Sequence, residues 1–219
     1  GFRLGQLQVA ISADFITLGD SHVFADGCSA DSSFGQIASA VLNVPVGNAG
    51  VSGYGYVQVN LLLERLMESH QPKAIILFCS PWLAERSISW YAPTYNGTVP
   101  VPYVYETASG ELAIRRPLYK ARLPRVDDEA WWDLYVRADV LNTIIKLKMI
   151  LGIIPNPHDS QSEAESFILN EIKQRLEDND VDLIAVNMSH NKDYDEQLII
   201  ETFGETNVID LDPILWNGV

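Results

Sequence analysis

Asp14-Phe15-Ile16-Thr17-Leu18-Gly19-Asp20-Ser21-His22 decides how the rest of the chain is read. The β-prone run Phe15 to Leu18 stops abruptly in small and polar residues, as a buried strand does where it meets a loop. The segment therefore predicts a first strand over Asp14–Gly19, with Ser21 just past its end. From Ser32 to Asn43 the apolar residues Phe34, Ile37, Ala38, Val41 and Leu42 recur three and four apart. That spacing, with Ser32 or Ser33 able to cap the start, predicts a helix. Val44–Val46 reads as a short second strand, closed by the glycine-rich run Gly47 to Gly55, and a helix follows from about Tyr56 to His70. Ala74–Phe78 is a continuous apolar run of the kind found in parallel strands covered on both faces.

After this third strand the rhythm breaks. Residues 84–125 carry several prolines, many aromatics and a predicted hairpin, Tyr103-Val104-Tyr105 turning at Ser109-Gly110 into Leu112-Ala113-Ile114, and are read as an insertion. Helical periodicity returns over about Asp127–Leu151 and Ser160–Glu177, broken by Ile153-Ile154-Pro155-Asn156-Pro157. A fourth strand at Asp182–Val186, a helix over about Tyr194–Phe203 and a fifth strand at Asn207–Leu211 complete the pattern. Strands alternating with helices predict one α/β domain over residues 1–219, a three-layer α/β/α sandwich on a mostly parallel five-stranded sheet with right-handed crossovers. In such sheets ligands bind beyond the carboxyl ends of the strands. Ser21, the Gly47–Gly55 loop and Ser80–Leu83 all fall there.

Composition narrows the partners. The formal net charge of −14 repels nucleic acid and anionic membrane surfaces, which leaves neutral or cationic ligands. Acidic residues in Asp127-Asp128-Glu129 and between Glu163 and Asp180 read as solvated helix faces. Cys28 and Cys79 are far apart and carry no metal-ligand pattern, so neither a disulfide framework nor a zinc site is expected, and both read as packed thiols. No stretch approaches the roughly 18 consecutive apolar residues of a membrane span, and no signal-peptide layout opens the chain. Its start, Gly1-Phe2-Arg3, reads like the interior of a longer protein, and the location stays open.

The residue types gathered at the sheet edge suit acyl transfer. Ser21 follows a buried strand and precedes a predicted helical turn, so its hydroxyl would sit beside backbone N–H groups able to stabilise an oxyanion. Asp20 can brace that loop through hydrogen bonds. Gly50, Gly53 and Gly55 allow the backbone close to a ligand, and the Gly53 N–H is a candidate second oxyanion donor. His22 adjoins the serine, but neighbouring side chains point apart, so it reads as pocket lining rather than as a base. His190, just after the fourth strand, is a weaker candidate for substrate contact, whereas His70 and His158 read as surface residues at helix ends.

Gly19-Asp20-Ser21-His22 resembles the first block of the SGNH or GDSL-type serine hydrolases, with His22 where the eponymous leucine often stands. Asn48-Ala49-Gly50-Val51-Ser52-Gly53-Tyr54-Gly55 resembles the second block at about the expected spacing. The resemblance implies a flavodoxin-like SGNH hydrolase fold, Ser21 as nucleophile with its own N–H as oxyanion donor, and Gly53 as another donor, supported by Asp20, Asn48 and His22. It implies neither metal nor organic cofactor. Two blocks depart from the pattern. The third, usually ending Gly-x-Asn-Asp, reads Phe78-Cys79-Ser80-Pro81-Trp82-Leu83, so no asparagine completes the oxyanion hole; losing one such donor typically costs roughly 10²- to 10³-fold in rate. The Asp-x-x-His that supplies the general base after the fifth strand is not matched by any of the four histidines, and the expectation is that it lies beyond Val219. The resulting expectation is a serine esterase or O-acyltransferase acting on a small acyl ester, acetyl on carbohydrate first. The alternative is a catalytically inactive ligand- or carbohydrate-binding module of the same fold. A phosphate or nucleotide binder using the glycine loop lacks both the Gly-x-x-x-x-Gly-Lys-Ser/Thr pattern and a nearby cation in sequence.

Overall fold

The computed structural model describes residues 13–94, 97–116, 140, 142–188 and 196–211. Five parallel strands form the sheet: β1 (Phe15–Leu18), β2 (Val46–Asn48), β3 (Ala74–Cys79), and two later strands at Asp182–Asn187 and Val208–Asp210. Two hairpins intervene, β4 (Tyr91–Thr94) with β5 (Gly97–Pro100) and β6 (Tyr103–Glu106) with β7 (Leu112–Arg115), so the later sheet strands are β8 and β9. The sheet order is β2-β1-β3-β8-β9, every neighbouring pair parallel. It is the α/β sandwich that the alternating pattern predicts, and all five carboxyl ends share one edge.

The helices are α1 (Ser21–Phe24), α2 (Phe34–Leu42), α3 (Tyr56–Ser69), α4 (Pro81–Ser87), α5 (Gln161–Asp178) and α6 (Glu196–Phe203), with a further helical stretch at 142–150. Alternate side chains of β3 sort the core into two layers, as the strand's period of two requires. Ile75, Leu77 and Cys79 join Leu63 and Val59 of α3 and Ile168, Leu169 and Ile172 of α5 in the main core. Ile76 and Phe78 face the other way, with Val186 and with Val23 of α1. Burying each such aliphatic side chain fully contributes about 1.5–3 kcal/mol. Ser160 caps α5 by accepting the Glu163 N–H at 3.3 Å.

Three expectations are corrected. The second strand lies at Val46–Asn48 rather than Val44–Val46, because pairing of Phe15, Ile16 and Thr17 with Val46, Gly47 and Asn48 overrides the weak strand propensity of glycine and asparagine. Cys28, expected as a packed thiol, is exposed. The helix α2 forms where the spacing predicts one, with Ile37 53% exposed, Val41 77% and Leu42 61%. It meets β2 through Gly35, where a Cβ would stand 3.3 Å from that of Asn48, and through Ser39, whose hydroxyl accepts the Val46 N–H at 2.8 Å. His158 is not a surface residue; its side chain is 10% exposed and bonds Glu163 at 3.0 Å, while its N–H donates to Val104 O at 2.8 Å.

The predicted Tyr103–Ile114 hairpin forms, with Val104 opposite Ile114 and Gly110 at φ +84° in the turn. Val104 is fully buried in the main core. Tyr103 joins Ile145, Met149 and Ile154 in a second cluster against which Trp90 and Tyr105 pack, and its hydroxyl donates to Pro155 O at 2.7 Å. Trp90, Tyr103 and Tyr105 are thus packing residues, whereas Tyr91 is exposed. Tyr95 of the insertion, Trp131 and Trp132 beyond it, His190 and most of the predicted Asp127–Leu151 helix lie outside the described residues. Among the described residues no helix is long and apolar enough to cross a membrane, and no group of three or more His, Cys, Asp or Glu side chains is arranged to hold a metal.

Candidate active site

The strands β1 and β2 end side by side, and their hydrogen bonding continues into the loops beyond them. Ala49 N–H donates to Thr17 O at 2.8 Å and Val51 N–H to Gly19 O at 3.1 Å. Ser21 and Gly53 each lie two residues further along these paired loops. The segments on either side of Gly53 are tied to the serine loop. The Ser52 hydroxyl donates to the Asp26 carboxylate, and Tyr54 O accepts from Arg86 Nη1 at 3.0 Å, whose same nitrogen also reaches Asp20 Oδ2 at 3.3 Å.

Ser21 is the first residue of α1 and is half-buried. Its conformation is set by Asp20, whose Oδ1 accepts the His22 N–H at 3.0 Å and His22 Nδ1 at 3.2 Å. The carboxylate thus closes a hydrogen-bonded ring across Ser21, in the manner of an Asx-turn. Asp20 is buried, its side chain 1% exposed, whereas that of His22 is 59% exposed and stacks on Trp82 with ring centroids 5.2 Å apart. The imidazole lies against Trp82 of α4.

Asn48 holds the second loop in register with the first. Its amide donates to Val23 O at 2.6 Å, and its Oδ1 accepts the Gly50 N–H at 2.9 Å. Gly50 is obligatory at this crossing, since a Cβ there would lie 2.4 Å from Phe24 N and 2.7 Å from Val23 C. Gly53 is different. Its φ of +79° lies in the left-handed region, and nothing stands within 4 Å of where its Cβ would be, so the backbone there borders open space. Gly55, where a Cβ would stand 2.7 Å from that of Arg86, is the N-cap of α3 and donates its N–H to the Gln58 side chain at 3.0 Å.

The third loop leaves β3 at Ser80, which is fully buried and donates its N–H to the Tyr56 hydroxyl at 3.2 Å. Beneath it Cys79 is packed in the core, and burial pushes its thiol from 9.0 up to about 12. Burial also raises the Tyr54 phenol. Sequence reasoning missed Arg86. It stands 66 residues from Asp20, and no local pattern announces a pairing made across the sheet edge. A separate open groove of about 490 Å³ lies by the insertion, bounded by Ile88, Trp90, Lys146, Met149, His158 and Asp159.

With three loops from β1, β2 and β3 bonded together at one edge of an α/β/α sandwich, the molecule has the architecture of doubly wound ligand-binding folds. No protein-family model and no curated protein matches the chain. Among solved structures, an acetyl xylan esterase (Est2A) from the rumen bacterium Butyrivibrio proteoclasticus is similar at a TM-score of 0.45 and 13% identity, over 91% of this chain and 55% of that one. The chain thus spans about half the length of that structure.

Proposed function

We propose that the protein is an SGNH-type serine esterase or O-acyltransferase in which Ser21 attacks a small acyl ester, acetyl on a carbohydrate being the first substrate to test. The observation that carries this reading is the pairing of the two loops. Ser21 is half-buried within a ring closed by Asp20, and Gly53, with its left-handed backbone bordering open space, is tied to the same segment through Ser52 and Tyr54. In the proposed reaction the Ser21 hydroxyl adds to the ester carbonyl as its proton passes to an imidazole base. The family carries that base in an Asp-x-x-His after the last strand. The Ser21 and Gly53 N–H groups receive the oxyanion, the alkoxide leaves with the proton, and water or an acceptor hydroxyl releases the acyl group. Asn48 and Asp20 hold the two loops, and His22 with Trp82 lines the pocket. No cofactor or metal enters the proposal.

The test is hydrolysis of a short-chain p-nitrophenyl ester by the full-length protein and by Ser21→Ala, with fluorophosphonate labelling as a direct probe of the hydroxyl. The expected outcome is loss of at least about 10³-fold in kcat and no labelling of the variant. Equal rates in the two proteins would remove Ser21 from the mechanism. A second reading, an inactive binding module of the same fold, draws on the third loop, where buried Ser80 stands at the strand end in a block that has no oxyanion-hole asparagine. It predicts carbohydrate binding without labelling.

A further inference from the structure

We infer that Arg86 is a positioning residue for the nucleophile: acting through buried Asp20, it locks the Ser21 loop and the Gly53 loop into one rigid unit and neutralises the carboxylate beside the oxyanion site. The inference rests on the esterase reading for its catalytic consequence, although the locking itself is a statement about two loops.

Three observations converge on it. Arg86 Nη1 lies 3.3 Å from Asp20 Oδ2 and 3.0 Å from Tyr54 O, so a single nitrogen bridges the residue before Ser21 and the residue after Gly53. Asp20 is 1% exposed while Arg86 is 32% exposed, so the carboxylate is the desolvated partner and depends on the guanidinium for compensation. The approach is built into the backbone as well. At Gly55 a Cβ would stand 2.7 Å from Arg86 Cβ and 2.9 Å from Leu83 O, so only glycine lets α4 come close enough for the guanidinium to reach both acceptors.

The chemistry follows from the positions. Asp20 accepts two bonds from His22 and thereby fixes the backbone on both sides of Ser21. Removing the cation leaves a buried charge without its partner, which the site relieves by moving the loop toward water. That response loosens the ring around Ser21. A carboxylate left uncompensated also repels the negative charge that develops on the carbonyl oxygen, within a chain whose net charge is already −14. Arg86 thus stands in neither of the two family blocks yet controls both.

The experiment compares wild type, Arg86→Met, Arg86→Lys, Asp20→Asn and the double variant Asp20→Asn/Arg86→Met in two measurements. One is the rate of fluorophosphonate labelling; the other is amide hydrogen exchange over residues 19–26 and 49–55, with β3 as an internal reference. Arg86→Met is expected to label about 10²-fold more slowly, since misplacement near 1 Å costs that much, and to exchange faster in both segments while β3 stays protected. Arg86→Lys is expected to recover most of both losses. The double variant is expected to label no more slowly than the worse single variant, because the two residues act as one unit. Unchanged exchange in either segment, or labelling losses that multiply in the double variant, overturns the inference. If β3 also loses protection in Arg86→Met, Arg86→Gln takes its place with the same criteria, as it keeps a donor for Tyr54 O but no charge for Asp20. If wild type is not labelled at all, the esterase reading fails, and the exchange measurement still decides whether Arg86 locks the loops.

Discussion

The residues that fix this site divide into those with a local signature and those without one. Gly19-Asp20-Ser21-His22 announces itself, because a strand followed by small polar residues has few other uses, and the bonds from Asp20 to His22 act over two residues. Arg86 carries no such signature; its partners lie 66 and 32 residues away and meet it only once the sheet has formed. Burial likewise needs three dimensions. Nothing in Phe78-Cys79-Ser80 says that Cys79 is fully enclosed while Cys28 is exposed. The chemical contrast is large, because burial disfavours the thiolate and lifts the Cys79 thiol to about 12. At about pH 8, iodoacetamide is therefore expected to modify one thiol per native chain, Cys28, and two after denaturation, counted by mass spectrometry. Two modified thiols in the native chain would contradict the buried placement. The unfolded thiol titrates near its ordinary 9.0, so whatever stability Cys79 contributes is complete below that pH and lost as pH rises toward about 12.

Among the elements, four of the five sheet strands are legible as short apolar or β-branched runs bounded by breakers, β3 being apolar on both faces, whereas β2, Val46-Gly47-Asn48, is set by its pairing with β1. The hairpin β4–β5 is not legible either, since Pro93 and Gly97 argue against strand and only the pairing of Tyr91 with Pro100 through Thr94 with Gly97 reveals it. The helix α2 was legible as a helix but not as an oriented one. Its apolar stripe invites burial, yet Gly35 and Ser39, the side with no stripe, make the contact with β2. Substituting Val41 by glutamate is accordingly expected to change unfolding free energy by no more than about 0.5 kcal/mol, as for an exposed site, measured by denaturant titration. The same change is expected to lower binding of an apolar dye, because Ile37, Val41 and Leu42 all stand exposed on this one helix. A loss of several kcal/mol would mean that this stripe is covered in solution.

For the whole molecule, the charge balance makes the simplest forecast. With a formal charge of −14 and a pI near 4.5, solubility is expected to pass through a minimum near pH 4.5 and to rise steadily toward neutrality, read by light scattering of a pH series. A minimum near neutrality would require a compensating partner or ion. The connectivity has a different consequence. β3 occupies the middle of the sheet, with β1 on one side and β8 on the other, Ala74 paired with both Phe15 and Asp182. Roughly a hundred residues of chain separate the two members of the β3–β8 ladder, and long-range parallel pairing closes slowly. During translation, Ala74 to Cys79 therefore emerges as an unpartnered border long before Asp182 to Asn187 leaves the ribosome, and α4, through Leu83 and Ala84, followed by the hairpin through Val104, is the later sequence first available to shelter the nascent core.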